Sequence, residues 1–201
     1  MTPDPVTNVW LIRHAEPDVA VQGRCYGSLD MALSATGREH AAQLAERLKT
    51  KPLAAVYSSP RLRATQTADA IAAPQGLAVS VCTAFRELDF GDFEGRPYDE
   101  IAAAHPELYR QWMENPTAVQ FPNGESFARM RERVLGAYRP LLAAHEGTNI
   151  AIVTHGGVVR IVLAEALGIP ARNIFRIAQS YAALSHIRYM GDYSSVELMN
   201  G

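Results

Sequence analysis

The stretch Val9–Asp18, VWLIRHAEPD, runs from four apolar residues directly into an arginine and a histidine. Four apolar residues in a row are typical of a short parallel strand, because helices cover both of its faces and leave no polar side. A buried strand ends in Arg13 and His14 only where its end opens onto polar surroundings. The stretch therefore predicts a strand over residues 9–13 that leads into a polar site.

Further along the chain, predicted strands alternate with predicted helices. Apolar runs predict strands within residues 53–59, 77–81, 149–157, 174–178, 183–189 and 195–199. Helical spacing predicts helices over residues 36–49, 61–73, 98–104, 107–114, 126–146 and 158–167. Thr36 is the predicted N-cap of its helix, Glu39 completes a capping box, and Pro140 predicts a bend. The alternation predicts an α/β protein, with a mostly parallel sheet and helices on both faces.

The length and composition restrict the organisation and the partners. A chain of 201 residues predicts one three-layer α/β/α domain over residues 1–201, with a cap-like insertion at roughly 90–125. The formal charge of −2 gives no basic field for nucleic acid or an anionic membrane. The opening stretch MTPDPVTN lacks the basic and apolar regions of a signal peptide, and the two cysteines predict no disulfide framework. We therefore expect a cytoplasmic protein.

Three predicted strands end in a cation or in a group that can become one. The strand at 9–13 leads into Arg13 and His14, the second leads into YSSPRLRATQTA with Arg63, and the run NIAIVTHGG contains His155. Ligands of open α/β sheets bind at the carboxyl ends of the strands, so we expect these side chains to share one crevice. Arginine matches phosphate oxygens bidentately, and the N-termini of the following helices add amide donors. The sequence predicts a site for a phosphoryl group.

Two histidines beside a phosphoryl group suggest a division of labour. One imidazole would attack phosphorus and form a phosphohistidine, while the other would stabilise charge on the equatorial oxygens. The leaving oxygen needs a proton donor, and Glu87 is the leading candidate because it lies in a loop beside the apolar Leu88 and Phe90. The alternative acids are Asp89, Asp92 and Glu94. The spacing of the six histidines matches no metal motif, so we expect no metal and no other cofactor.

Four segments resemble, in order, the signature segments of the histidine phosphatase superfamily: LIRHAE, YSSPRLRATQTA, RELDFGDFEG and VTHGG. The resemblance runs from Val9 to about Leu167 and implies the fold of phosphoglycerate mutase. It implies that His14 is the phosphorylated residue and Glu87 the proton donor. By the same resemblance, the residues that bind the phosphoryl group are Arg13, Arg63 and His155, and Arg61 does not take the catalytic place. We expect Arg61 to be a rim residue or a salt-bridge partner.

Two further segments, GRCYGSLDMALSATG and FPNGESFARMRERV, most resemble α-ribazole phosphatases. The resemblance implies hydrolysis of a small phosphorylated metabolite, with α-ribazole 5'-phosphate as the first candidate. The residues expected around the substrate mouth are Gln22, Arg24, Tyr26, Glu125 and Gly156. Two alternative functions stay open: mutase-type phosphoryl transfer, which the short middle region disfavours, and a non-catalytic phosphate-binding or interaction module. The other candidate substrates are a sugar or nucleotide monophosphate and a phosphoprotein. The oligomeric state is also open, with a homodimer as one option.

Two positions depart from the usual pattern of the superfamily. Ala20 stands where an asparagine often contacts the phosphate, so either Gln22 makes that contact or the contact is absent. Ala15 stands where the signature Arg-His-Gly has glycine. If the backbone there required a positive φ, the methyl group would cost about 1 kcal/mol. The backbone angle at Ala15 therefore decides whether the departure strains the site.

Overall fold

A six-stranded sheet forms the centre of the fold in the computed structural model, which describes residues 5–201. Its strands are β1 (Val6–Arg13), β2 (Ala55–Ser58), β3 (Val79–Val81), β4 (Asn149–Thr154), β5 (Leu184–Met190) and β6 (Tyr193–Leu198). The spatial order is β3-β2-β4-β1-β5-β6, and the first four strands are parallel while β5 and β6 run antiparallel to their neighbours. The predicted mostly parallel sheet is confirmed. The stretch MTPDPVTN was expected not to be a signal peptide. Its first four residues, 1–4, lie outside the residues that the structure describes, so this expectation stays a prediction.

Helices cover both faces of the sheet. They are α1 (Ala35–Leu48), α2 (Leu62–Ala72), α3 (Tyr98–Ala104), α4 (Pro106–Glu114), α5 (Phe127–Ala144) and α6 (Gly156–Leu167). Helices α1 and α2 pack with Trp10 and Ile12 of β1, whereas α5 and α6 pack with Val9 and Leu11. Alternate residues of β1 thus pack into two different hydrophobic cores, one on each face of the sheet. The sheet and the helices on its two faces form the three layers. Among residues 5–201, no helix combines the length and the apolarity needed to cross a membrane.

The register of the central strands brings the predicted site residues to one edge. Arg13 at the end of β1 pairs with Thr154 at the end of β4, and Ser58 at the end of β2 pairs with Val153. The pairing continues past β1, because the N–H of His14 donates to the carbonyl of Thr154 at 2.7 Å. The carboxyl ends of three parallel strands therefore lie side by side.

Two predictions of local structure are wrong. The N-cap of α1 is Ser34, not Thr36: the Ser34 hydroxyl accepts from Gly37 N–H at 2.9 Å and donates to the carboxylate of Glu16 at 2.7 Å. This contact with the loop after β1 favours Ser34 as the first residue outside the helix. The predicted strand at 174–178 is instead part of a 3-10 helix, Ala171–Arg176. Ile174 is buried within this helix and Ile177, its C-cap residue, is buried three positions later, which is the period of a 3-10 turn and not of a strand.

The helix predictions agree with the structure to within two residues at either end. Helix α5 continues through Pro140 without interruption. Residues 90–125 contain α3 and α4. The ring of Phe121 packs edge to face against Phe90 and Trp112 with centroids 5.0 Å apart, and the rings of Phe90 and Trp112 are tilted to each other at 5.5 Å. Ile101, Trp112 and Phe121 belong to the same buried cluster as β1 and β4. The role of this segment as a cap stays a prediction.

Candidate active site

A cavity of about 440 Å³ opens at the edge where β1, β2 and β4 end. Its wall includes the five residues expected to carry the chemistry: Arg13, His14, Arg63, Glu87 and His155. Gln22, Arg24 and Tyr26 line the same cavity, as expected for the mouth, and so do the unpredicted Tyr98 and Tyr181. A larger cavity of about 630 Å³ near Ile169 and Ile177 has one charged side chain in its wall, Arg176, and no histidine or carboxylate. The polar cavity is therefore the candidate active site.

His14 is almost completely buried and presents one ring nitrogen to the cavity. Its Nδ1 lies 2.8 Å from the carbonyl oxygen of Ala15, which can only accept, so Nδ1 carries the proton. The opposite nitrogen, Nε2, accepts a hydrogen bond from Nε of Arg63 at 3.3 Å. Burial lowers the pKa of His14 well below 6.5, and the positive charges of Arg63 and Arg13 lower it further. The ring is therefore neutral and Nε2 is unprotonated, so it can attack once the weak hydrogen bond from Arg63 is released.

Arg63, in the first turn of α2, is fully buried and tightly held. Its guanidinium donates to the carbonyl of Leu29 at 2.7 Å and to that of Gly27 at 2.9 Å. The carboxylate of Glu94 supports this loop, because it accepts hydrogen bonds from the N–H groups of Gly27 and Ser28. Glu94 is thus engaged in positioning the Arg63 loop and does not line the cavity.

His155 follows β4 and is fixed by a residue that the sequence reading missed. Nε2 of His155 lies 2.6 Å from the hydroxyl of Ser59, and its Nδ1 lies 3.3 Å from a nitrogen of Arg63. A guanidinium only donates, so Nδ1 accepts and Nε2–H donates to Ser59. Burial lowers the pKa of His155 well below 6.5, with Arg63 and His14 as the next causes. The two imidazoles meet edge to face, with ring centroids 5.1 Å apart.

Arg13 lies at the end of β1, and its guanidinium group is only partly hydrogen-bonded. One terminal nitrogen donates to the carbonyl of Gln179 at 2.6 Å, and the guanidinium carbon lies 4.1 Å from the centroid of the Tyr181 ring. Nε of Arg13 is buried and has no hydrogen-bond partner in the described part of the chain. A buried donor without an acceptor is costly, and a phosphate oxygen would satisfy it.

Glu87 presents its carboxylate at the start of α6. One oxygen accepts from Gly157 N–H at 3.0 Å and the other from Leu88 N–H at 2.9 Å. Residue 157 must be glycine for this approach, because a Cβ there would lie 2.3 Å from a Glu87 oxygen. Glu87 also lines a second cavity of about 210 Å³, so its carboxylate stands between the two cavities.

Three other predicted residues lie outside the cavity wall. Gly156 starts α6 behind Arg13, where a Cβ would be 3.5 Å from Nε of Arg13, and Arg61 is the N-cap residue of α2. Substrate contact by Gly156 stays a prediction, and so does the place of Arg61 at the rim. The expectation that Glu125 lines the mouth is wrong: Glu125 is buried in an ion pair with Arg133 at 2.7 Å.

The remaining candidate acids and Ala15 can be placed as well. Asp89 accepts from Gly91 N–H, and Asp92 pairs with the amide of Asn123, so neither carboxylate faces the cavity. Ala15 is not among the residues with positive φ in the described chain, so its methyl group adds no strain of that kind. Within residues 5–201, no three His, Cys, Asp or Glu side chains are grouped closely enough to hold a metal ion.

Comparison with known proteins identifies the family. The model of the histidine phosphatase superfamily (branch 1) matches residues 9–201. Phosphoserine phosphatase 1 of Hydrogenobacter thermophilus is 33% identical over 177 residues, which are 88% of this chain and 84% of the relative. The structure of the alpha-ribazole phosphatase from Shigella flexneri is similar with a TM-score of 0.87 at 28% identity, covering 96% of each chain.

A third similar protein is a mycobacterial glucosyl-3-phosphoglycerate phosphatase. Its structure gives a TM-score of 0.87 at 25% identity, covering 98% of this chain and 99% of the other. The predicted phosphoglycerate mutase-like fold is confirmed, and the phosphatase names of these relatives mark the protein as a phosphatase enzyme. The chain belongs to branch 1 of the histidine phosphatase superfamily.

Proposed function

We propose that this protein is a metal-independent phosphomonoesterase that acts through a phosphohistidine at His14. The observation that carries the proposal is the neutral His14 ring, whose unprotonated Nε2 lies in a cavity with two guanidiniums. Phosphoryl transfer needs positioning and charge stabilisation more than covalent chemistry by the protein. Arg13, Arg63 and His155 would supply both, because they line the same cavity as His14.

The proposed reaction has two steps, each balanced in protons. In the first, Nε2 of His14 bonds to phosphorus, the ester P–O bond breaks, and protonated Glu87 gives its proton to the leaving oxygen. In the second, the Glu87 carboxylate takes a proton from water, the water oxygen bonds to phosphorus, and the P–N bond breaks. Throughout, the Nδ1–H of His14 donates to Ala15 and supports the positive charge on the phosphorylated ring.

The first candidate substrate is α-ribazole 5'-phosphate. The second cavity supports it: Phe90, Tyr98, Trp112, Phe127 and Phe175 form its aromatic wall. Because Glu87 and Tyr98 line both cavities, a leaving group protonated by Glu87 would extend into the aromatic one. A benzimidazole base is flat and apolar, and such rings stack favourably on aromatic side chains.

A second candidate class, the small phosphorylated acids such as phosphoserine, is favoured by Arg160. Its guanidinium lines the aromatic cavity and is held there by a hydrogen bond from Nε to the carbonyl of Ile177 at 2.8 Å. Apart from Glu87 and the Tyr98 hydroxyl, the side chains of this wall are apolar or aromatic, so Arg160 is the group there that would bind a carboxylate on the leaving group. The mutase alternative uses the same phosphohistidine but returns the phosphoryl group to a sugar acid instead of water.

The unpaired state of both cysteines, Cys25 and Cys82, supports the proposed cytoplasmic location. The proposed reaction needs a small phosphorylated substrate and no nucleic acid, membrane or cofactor. A homodimer is compatible with it, and light scattering would establish the mass in solution.

The first experiment is hydrolysis of p-nitrophenyl phosphate with EDTA present, by the wild type, His14→Ala and His40→Ala. His40 lies on α1 outside the cavity wall, so His40→Ala is the matched control. We expect the wild type and the control to hydrolyse the ester equally and His14→Ala to be inactive. Activity that survives in His14→Ala, or that EDTA abolishes, would contradict the proposal.

A second experiment distinguishes the substrates. Initial rates are measured with α-ribazole 5'-phosphate, phosphoserine and 3-phosphoglycerate, and both inorganic phosphate and isomerised ester are quantified. Hydrolysis with a preference for α-ribazole 5'-phosphate supports the first candidate. Isomerised 3-phosphoglycerate without phosphate release would instead support the mutase alternative.

A further inference from the structure

Two tyrosines connect the two cavity arginines. The hydroxyls of Tyr26 and Tyr181 lie 2.6 Å apart and form a hydrogen bond. The ring of Tyr181 lies 4.1 Å from the guanidinium carbon of Arg13, and the ring of Tyr26 lies 5.2 Å from that of Arg63. These distances fall within the range of cation–π attraction. An unbroken series of contacts therefore runs from Arg13 through both rings to Arg63.

The backbone before β5 holds Tyr181 against the nucleophile. The carbonyl of Gln179 accepts from Arg13 at 2.6 Å, and Ala182 N–H donates to the carbonyl of His14 at 3.1 Å. Ala182 has a φ of +56°, a left-handed conformation that is unfavourable for a residue with a Cβ. The surrounding contacts maintain this unfavourable backbone and place the Tyr181 ring centroid 5.6 Å from that of His14.

The two guanidiniums present a positioning problem that these tyrosines can solve. Like charges that face one cavity repel each other, so each guanidinium needs partners that fix its plane. Two backbone carbonyls hold Arg63, whereas Arg13 has one carbonyl contact and the face of Tyr181. The hydroxyl bond between the rings couples the two arginines, and breaking it would free both rings to tilt.

We propose that Tyr26 and Tyr181 form a brace that fixes Arg13 and Arg63 at the separation required by a phosphoryl group. The proposal rests on the proposed phosphatase function, and it assigns both tyrosines as positioning residues. Burial, together with the hydrogen bond to Tyr181, raises the pKa of Tyr26, so its hydroxyl stays protonated and the bond persists at neutral and moderately alkaline pH. The brace leaves the His14 tautomer unchanged, since that depends on Ala15.

The test measures binding of inorganic phosphate by calorimetry, which needs no turnover. Tyr26→Phe and Tyr181→Phe each remove one hydroxyl and keep the ring, and the double variant removes both. We expect each single variant to weaken phosphate binding by about two- to tenfold, the range for one neutral hydrogen bond. The double variant should bind no more weakly than the singles, because all three lose the same bond. Tyr181→Leu, which also removes the ring, should bind more weakly still.

The control is Tyr193→Phe, since Tyr193 is an exposed residue at the start of β6. Thermal unfolding of every variant separates a loss of positioning from a loss of stability. Wild-type affinity in both single variants, or additive losses in the double variant, would overturn the brace. Absence of phosphate binding by the wild type would overturn the proposed function as well, so the two failures are distinguishable.

Discussion

Arg133 of α5 donates a hydrogen bond to the backbone carbonyl of Glu87 at 3.0 Å. The same guanidinium donates to the carbonyls of Ala84 and Arg86 at 2.7 and 2.8 Å, and it pairs with both carboxylate oxygens of Glu125. A single side chain, mostly but not fully buried, thus holds the backbone of the loop that carries the proposed proton donor. The geometry of Glu87 therefore depends on α5 as well as on Gly157.

Arg133→Met should destabilise the protein and reduce turnover. Removing Arg133 leaves the carboxylate of Glu125 with the more exposed Arg86, 3.6 Å away, as its remaining ion-pair partner, which costs about 3 kcal/mol of unfolding free energy. Three carbonyls of the Glu87 loop also lose their donor. Urea unfolding and kcat measure the two effects. Arg131→Met is the control, because Arg131 lies on the same helix in a more exposed ion pair with Glu165. Equal stability of the two variants would contradict this role of Arg133.

Glu87→Gln should reduce kcat for alkyl phosphomonoesters by about 100-fold or more, because the leaving alkoxide loses its proton donor. The loss should be smaller for p-nitrophenyl phosphate in the first step, because p-nitrophenolate leaves without protonation. Rapid-mixing experiments that follow p-nitrophenolate release measure that step directly. Asp92→Asn is the control in the same loop, since Asp92 pairs with Asn123 outside the cavity wall. A larger loss in Asp92→Asn than in Glu87→Gln would assign the acid to Asp92.

The pH dependence of kcat/KM should reflect the low pKa of His14. Burial, Arg63 and Arg13 lower that pKa well below 6.5. As the pH falls through the lowered pKa, Nε2 becomes protonated and attack stops, so the acidic limb should lie below about pH 6.5. Arg13→Gln removes one of the cations and should move this limb to higher pH. A wild-type limb at or above pH 6.5, or no movement in the variant, would contradict this account.

The sequence predicted the groups whose signals are local. The apolar run that ends at Arg13 and the segment around His155 each indicate the end of a strand. Because β1 and β4 pair in parallel, the ends of these two strands lie side by side. Glu87 was found because its loop carries a recognisable motif. The local signals were sufficient to predict the six strands of the sheet, most helix boundaries and five residues of the cavity wall, but they also predicted a strand at 174–178 that the structure lacks.

The contacts that were missed join segments far apart in the chain. Tyr181 lies in a segment without a motif, and its partner Tyr26 is 155 residues away. The contact of Ser59 with His155 could have been predicted from the sequence. Ser59 directly follows β2, His155 directly follows β4, and these two strands are neighbours in the sheet. Glu125 was placed at the mouth from its motif, although Arg133 lies eight residues further on and supplies a buried partner. Side-chain pairing of this kind depends on packing that no short motif records.

Phosphate binding should take up a proton at His155. In the free protein, its Nδ1 accepts from Arg63, and burial and the neighbouring positive charges keep its pKa well below 6.5. A phosphate dianion in the cavity adds negative charge beside the ring and raises that pKa, so Nδ1 gains a proton and can donate to phosphate. Uptake occurs between the free and the bound pKa, and calorimetry in buffers of different ionisation enthalpy measures it.

Ser59→Ala and His155→Asn test the source of this proton. Ser59 accepts from Nε2 of His155 at 2.6 Å, so the alanine variant leaves a buried donor unsatisfied and makes the doubly protonated ring less favourable. We expect reduced uptake in Ser59→Ala, none in His155→Asn, and wild-type uptake in Ser28→Ala, whose side chain lies outside the cavity wall. Unchanged proton uptake in His155→Asn would show that another group takes up the proton. The next variant to measure would then be His14→Asn.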